Sequence, residues 1–105
     1  MTYAEALRFL LDLLDGTRYP RPPGREANLI RVGRLLARLG HPERDLATVL
    51  VAGTKGKGST AAMLAAIEEA TGKNVGVYTK PHLVEYRERV RVGGRVIDED
   101  ELTAL

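Results

Sequence analysis

Apolar residues recur at helical spacing in the first half of this chain and gather into short runs in the second. Leu7, Leu10, Leu11 and Leu14 repeat along one face up to Gly16, a plausible C-terminal stop. Thr2 and Glu5 stand ahead of them at the spacing of a capping box, so the chain is expected to open with a core-facing helix. Thr17–Gly24 carries three of the five prolines and cannot continue a helix; it reads as a stiff surface connection, too short to separate domains. A second amphipathic helix is predicted over about Glu26 to Leu39. Leu29, Val32, Leu35, Leu36 and Leu39 take one side, Arg31, Arg34 and Arg38 the other, and Gly40 ends it. His41 follows in a turn with Pro42, where a lone histidine is expected at the surface.

From Val49 the pattern changes. Val49, Leu50 and Val51 form a continuous apolar run that suits a strand buried on both faces. A glycine-rich loop follows, then a helix predicted over Ala61 to Ala70 that is rich in small residues and ends at Thr71-Gly72. Asn74 to Thr79 reads as a second strand, completing a strand, loop, helix, strand unit whose right-handed crossover would give parallel neighbours. Val90 to Ile97 alternates apolar and basic residues around Gly93-Gly94, a hairpin signal with Val90, Val92 and Val96 expected on the covered side. Asp98 to Leu105 places acidic residues in a first helical turn, and the chain stops before a cap appears, so it reads as a piece. The expected fold class is α/β: a P-loop nucleotide-binding fold with a parallel sheet core flanked by helices, an N-terminal helical segment, and a truncated domain.

Composition narrows the function classes. At 105 residues the chain can form one small core. A net charge of +2 gives no argument for nucleic acid. The absence of cysteine excludes disulfides and cysteine-ligated metals and fits a reducing compartment. Leu10 to Leu14 is apolar but short and interrupted by Asp12, so neither a signal peptide nor a membrane span is read, and the cytoplasm is the expected location.

The chemistry concentrates in the loop between the first strand and the helix after it. Gly53, Gly56 and Gly58 let the backbone turn sharply and bring its N–H groups close to a ligand. Ser59 or Thr60 is expected to cap the following helix, whose first amides and positive dipole end would face the same anion. Lys57 adds a mobile point charge. Against the Walker pattern G-x-x-x-x-G-K-[ST], Gly56-Lys57 supply the Gly-Lys pair, but Val51 stands where the first glycine belongs and Gly58 where the hydroxyl belongs. A glycine-rich turn into a capped helix is the structural alternative. Lysine placement weighs against it: of only four lysines, beside twelve arginines, Lys55, Lys57 and Lys80 fall in two loops.

The departures from the Walker pattern carry a resemblance. Gly53-Thr54-Lys55-Gly56-Lys57-Gly58-Ser59-Thr60 resembles the P-loop of the folylpolyglutamate synthases and dihydrofolate synthases, relatives of the Mur ligases, in which the hydroxyl is displaced in the same way. Val75-Gly76-Val77-Tyr78-Thr79-Lys80-Pro81-His82-Leu83 is similar to that family's Val-Gly-x-Tyr-Thr-Ser-Pro-His-Leu segment, and Glu88-Arg89-Val90 to its Glu-Arg-Ile/Val. The resemblance implies that residues 1–105 are the N-terminal part of an ATP-binding domain, with the C-terminal domain absent. It implies ATP and Mg2+ as cofactors, folate or dihydropteroate and L-glutamate as substrates, and neither nucleic acid nor membrane as partner. ATP would phosphorylate a substrate carboxylate to an acyl phosphate, the amine of glutamate would attack it, and phosphate would leave.

The resemblance assigns residues to those roles. Lys57 is the expected catalytic residue, cradling the β and γ phosphates with the loop amides from Gly53 to Ser59. Ser59 and Thr60 would bind phosphate oxygen or metal-bound water. Thr79, Lys80, Pro81 and His82 form a second candidate loop, with Glu88 and Arg89 helping to fix it near substrate. The family's serine ligand to magnesium is replaced by Lys80, and an ammonium group cannot ligate a hard cation. Thr79 supplies the oxygen instead, or backbone and water do, or Lys80 itself contacts a phosphate. The family's remaining parts, a further glutamate and histidine for magnesium, a modified lysine and a glutamate-binding domain, come from regions after this segment. The isolated chain is therefore expected to lack ligase activity. A generic P-loop binding or kinase module, which would need neither Tyr78–Leu83 nor Glu88-Arg89, and a non-enzymatic α/β fragment are the alternatives.

Overall fold

A computed structural model describes residues 1–15 and 24–105 of the chain. The expected stop at Gly16, the proline-rich connection through Pro23 and the packing of Leu14 lie outside the described residues. Two units emerge, one formed by Met1–Phe9 with Val51–Leu105, the other by Leu10–Leu50.

The first unit begins with helix α1 (Tyr3–Asp15), which continues into the second. The capping box forms as its spacing predicts: the Thr2 amide donates to Glu5 at 2.7 Å and the Glu5 amide to the Thr2 hydroxyl at 3.3 Å. Among the described side chains of this helix Ala6 is buried, whereas Leu7 and Leu10 are half-buried and Leu11 is exposed. Helix α2 (Arg25–Arg38) belongs to the second unit and follows the expected boundaries closely. It ends in a Schellman motif, with Gly40 at φ +76 and the amides of His41 and Gly40 bonded to the carbonyls of Leu36 (2.8 Å) and Ala37 (3.2 Å). Its apolar stripe is exposed at Leu29, Val32, Leu35 and Leu39. His41 is half-buried, and its Nδ1 lies 2.8 Å from Glu43 Oε1.

The sheet corrects the expected topology. Strands β1 (Gly76–Tyr78), β2 (Val90–Val92) and β3 (Arg95–Val96) lie in the order β1-β2-β3, and both pairs are antiparallel. Val49–Val51 forms no strand and has no ladder partner among the described residues; Leu50 is 92% exposed. β1 instead pairs with the strand that follows it. The connection between them holds no crossover helix, only a 3-10 turn at Tyr86–Arg89, so the chain doubles back and the ladder is antiparallel.

The hairpin forms around Gly93 and Gly94, at φ +57 and +79, the signs a type I′ turn requires. That two-residue turn pairs Val92 with Arg95 and Arg91 with Val96. Val96 therefore shares a side with Arg91, not with Val90 and Val92 as expected, since directly opposed residues point the same way. The covered position falls to Ile97, whose amide bonds the Val90 carbonyl at 3.2 Å and which is buried.

Helix α3 (Lys57–Ala70) starts four residues before the expected Ala61, packs against β1, and ends at Gly72, as predicted, in a second Schellman motif. Helix α4 (Glu99–Ala104) forms where acidic residues were expected in a first turn, and it also carries a capping box: Glu101 N donates to Asp98 Oδ1 and Asp98 N to Glu101 Oε2, both at 2.8 Å. Ala6, Ile97 and Leu102 are the buried apolar residues of this unit among those described. No helix among the described residues is long and apolar enough to cross a membrane.

Candidate functional site

Residues Gly53–Gly56 bend away from the extended segment that precedes them and lead directly into α3. Gly56 is the N-cap, at φ +75 in the left-handed region, where it supplies a backbone conformation that costs a residue with a Cβ about 1 kcal/mol or more. No side chain caps the helix. This departs from the expected capping by Ser59 or Thr60. Both lie inside the first turn, and the Thr60 amide already bonds the Gly56 carbonyl at 2.9 Å. The amides of Lys57, Gly58 and Ser59 are the helix's orphan donors, and no acceptor is found for them among the described residues. A Cβ built at Gly56 or Gly58 would meet nothing within 4 Å, so the approach to these amides is open. Thr54 and Lys55 are exposed on the loop. Lys57 folds back so that its Nζ donates to the Gly53 carbonyl at 2.5 Å, and it makes no ion pair among the described residues.

The second candidate loop leaves the C-terminal end of β1. Thr79 is half-buried, and its amide donates to the Arg89 carbonyl at 2.9 Å. Lys80 is exposed and its peptide bond to Pro81 is cis. Glu88 organises what comes next. Its carboxylate accepts the three successive amides of Leu83 (2.9 Å), Val84 (2.8 Å) and Glu85 (2.7 Å). The Glu85 amide first, then those of Leu83 and Val84, hold the Glu88 carboxyl below its usual range against a smaller desolvation penalty, with the nearby His82 assisting. The Arg89 Nε–H donates to His82 Nδ1 at 2.9 Å, and the guanidinium lies 4.8 Å from the Tyr86 ring centroid. The His82 and Tyr86 rings are 5.7 Å apart and tilted by 58°.

Thr79, Lys80, Pro81, His82, Glu88 and Arg89 are thus drawn into one turn, and the residues from Gly53 to Thr60 into another. No hydrogen bond or ion pair joins the two turns among the described residues. Tyr86 joins this cluster without belonging to either motif. Its signal was its place three residues before Arg89, on the one-turn spacing that lets an aromatic ring and a guanidinium meet.

The two turns differ in what they suit. The open amides at the start of α3 and the folded Lys57 are donors, which fits the oxygens of a polyphosphate. For magnesium, the candidate residues offer the hydroxyls of Thr54, Ser59, Thr60 and Thr79, while the Glu88 carboxylate is already taken up by three amides. Among the described residues no group of three or more His, Cys, Asp or Glu is placed to hold a metal ion. These hydroxyls fit a cation that keeps most of its shell as water and phosphate oxygen, and not an all-protein cage.

The chain is similar to known proteins along its whole length. A "probable bifunctional folylpolyglutamate synthase/dihydropteroate synthase" of Haloferax volcanii is 46% identical over 105 residues, all of this chain and 12% of the relative. A "dihydrofolate synthase/folylpolyglutamate synthase" of Bacillus subtilis is 43% identical over 82 residues, 78% of this chain and 19% of the relative. Among solved structures, the folylpolyglutamate synthetase from Lactobacillus casei superposes with a TM-score of 0.81 at 32% identity, covering 99% of this chain and 24% of that one. The folylpolyglutamate synthase from Thermotoga maritima gives 0.77 at 37% identity, over 94% and 21% of the two chains. This chain therefore spans less than a quarter of the length of each of these relatives. No family model matches it.

Proposed function

Since the chain belongs to the folylpolyglutamate synthase/dihydrofolate synthase family, we propose that it forms part of the ATP-binding domain of a ligase that joins L-glutamate to folate or dihydropteroate. The observation that carries this reading is the start of α3, capped by Gly56 without a side chain, with Lys57 folded over the loop and three amides left without acceptors among the described residues. Names of relatives support the substrates: the protein from Haloferax volcanii is called a probable bifunctional folylpolyglutamate synthase/dihydropteroate synthase, and that from Bacillus subtilis a dihydrofolate synthase/folylpolyglutamate synthase.

In this reading the γ-phosphoryl group of ATP passes to a carboxylate oxygen of the acid substrate, leaving ADP and an acyl phosphate. The amine nitrogen of glutamate then attacks the acyl carbon, the C–O bond to phosphate breaks, and the nitrogen gives up a proton. Magnesium supplies charge neutralisation on the polyphosphate. The residues of this chain bind and orient. The amides of Lys57, Gly58 and Ser59 accept no covalent role; they fix phosphate oxygens without reorganising. Lys57 exchanges its bond to the Gly53 carbonyl for one to the β and γ phosphates, with Gly53, Thr54, Lys55 and Gly56 shaping the cradle. Ser59 and Thr60 offer hydroxyls to phosphate oxygen or metal-bound water, and Thr79 offers one toward the hydrated cation. The turn carrying Lys80, Pro81, His82, Glu88 and Arg89 faces the acid substrate. The cytoplasm is the proposed location, with no nucleic acid or membrane partner, and by itself the chain is proposed to lack ligase activity.

Calorimetric titration with ATP and magnesium tests the reading, comparing the wild type with Lys57→Ala. Binding by the wild type that weakens at least about tenfold in the variant, the worth of one charge-assisted hydrogen bond, supports it. Equal binding by both proteins, or none by either, counts against Lys57 and this loop as the nucleotide site.

A further inference from the structure

The contact between Arg89 and His82 has a consequence for the imidazole itself. An arginine side chain has only donors, so the nitrogen that meets Arg89 Nε–H at 2.9 Å must be the one with the lone pair. Nδ1 is that nitrogen. The single proton of the neutral ring is therefore on Nε2, and no acceptor for Nε2 is found among the described residues. His82 is half-buried, and its Nε2 is not sealed from solvent, unlike Arg87 Nε, which is buried without a partner.

The ring is also held in place from several directions. Arg89 is anchored at its backbone, where its carbonyl accepts the Thr79 amide, and at its guanidinium, which lies over Tyr86. Tyr86 in turn meets the His82 ring. On the other side, Glu88 pins the three amides that follow His82 in the chain. A loop residue fixed in this way cannot swing its ring to exchange one nitrogen for the other without breaking the Arg89 bond.

We propose that Arg89 is a positioning residue that fixes the tautomer of His82, so that the loop presents an outward Nε2–H donor to an oxyanion. Lys80, two residues earlier and exposed, puts a positive charge on the same turn, which suits a carboxylate or a phosphate. The identity of that oxyanion rests on the function proposed above; the tautomer does not. His82 itself is the group that would touch the ligand.

Nuclear magnetic resonance on the chain labelled with 15N in arginine and histidine tests the first half. A through-hydrogen-bond coupling between Arg89 Nε and His82 Nδ1, with the His82 proton correlated to Nε2, is the expected result. Absence of the coupling at a pH where the ring is neutral, or a proton on Nδ1, overturns the proposal. Arg89→Leu should abolish the coupling and let a measurable fraction of His82 carry its proton on Nδ1, as in a free histidine side chain; a folded variant with the proton wholly on Nε2 also overturns it. If Arg89→Leu does not fold, the wild-type coupling decides.

The second half uses shape. The amide nitrogen of glutamine reaches the place of Nε2, and that of asparagine the place of Nδ1. With folate and inorganic phosphate as separate probes, His82→Gln should bind whichever one shifts the wild-type Nε2–H signal within about threefold of wild type, and His82→Asn should lose about tenfold. A response to folate identifies a carboxylate, and a response to phosphate a phosphoryl group. No shift with either probe, or equal loss in both variants, overturns the donor role while leaving the tautomer result standing.

Discussion

Lys57 reaches back from the first turn of α3 to donate to the Gly53 carbonyl at 2.5 Å, closing the glycine loop with its own side chain. This places a cation at the positive end of a helix, where the macrodipole disfavours it by about 0.3–1 kcal/mol. A site kept for folding would not choose that charge. Lys57→Ala should therefore leave chemical stability unchanged to within about 0.5 kcal/mol or raise it slightly, while lowering affinity for ATP with magnesium about tenfold or more. Urea unfolding and calorimetry on the same samples check this. A variant that is both destabilised and unimpaired in binding would reverse the assignment.

Gly56 carries the turn into α3 at φ +75, and space around it is open. The cost of a side chain there is thus conformational, not steric. Gly56→Ala should lower stability by about 1 kcal/mol, and Gly56→Asn by clearly less, because asparagine tolerates the left-handed region. The order of the urea midpoints tests this; equal stability of glycine and alanine would contradict the assigned backbone.

Glu88 binds three successive amides, and those bonds hold its carboxyl below the usual range. A depressed folded-state pKa means that the stabilisation is present above the ordinary carboxylate range and disappears as pH falls through the lowered value. In Glu88→Gln, hydrogen exchange at Leu83, Val84 and Glu85 should quicken by about tenfold. Exchange elsewhere in α3 should change little. Unchanged protection at these three amides would mean that the carboxylate does not organise the turn.

Glu101 is gripped by Arg95 through two bonds, of 2.7 and 2.5 Å, and also accepts the Asp98 amide. The Arg95 guanidinium first, and then the Asp98 amide, push its carboxyl down to about 2, from 4.5. Stability from this group is complete above about pH 4.5 and is lost progressively as pH falls toward about 2. The difference in Tm between wild type and Glu101→Gln should therefore be constant from about pH 7 to about pH 5 and shrink below about pH 4.5. A difference that does not depend on pH would show that the carboxylate's charge is not what matters.

Most helix ends could be read directly from residues. Thr2 with Glu5, Asp98 with Glu101, Gly40 and Gly72 each act within one turn of chain, and the helices obey them. At the start of α3, Ser59 and Thr60 are good caps in isolation, yet Gly56, already left-handed, ends the loop first. A two-residue turn at Gly93-Gly94 pairs Val92 with Arg95, and counting from there puts Val96 opposite Arg91 and leaves Ile97 to be covered. Within the candidate site, the glycines, Lys57 and the Thr79–His82 segment stood out by motif. Tyr86 did not, because its partners are defined by a turn that sequence spacing only hints at.

The sequence by itself determined the Thr2–Glu5 capping box, the glycine stops at Gly40 and Gly72, the hairpin turn at Gly93-Gly94, and a loop of glycines and lysines ahead of α3, since each depends on bonds between residues a few positions apart. Only the tertiary structure decided that β1 pairs with β2 in antiparallel fashion while Val49–Val51 stays unpaired, and that Arg89 meets His82. A strand's N–H and C=O groups accept any edge presented in register, so the partner is chosen by how the intervening chain returns. A histidine and an arginine seven residues apart are neighbours only once that return has been made.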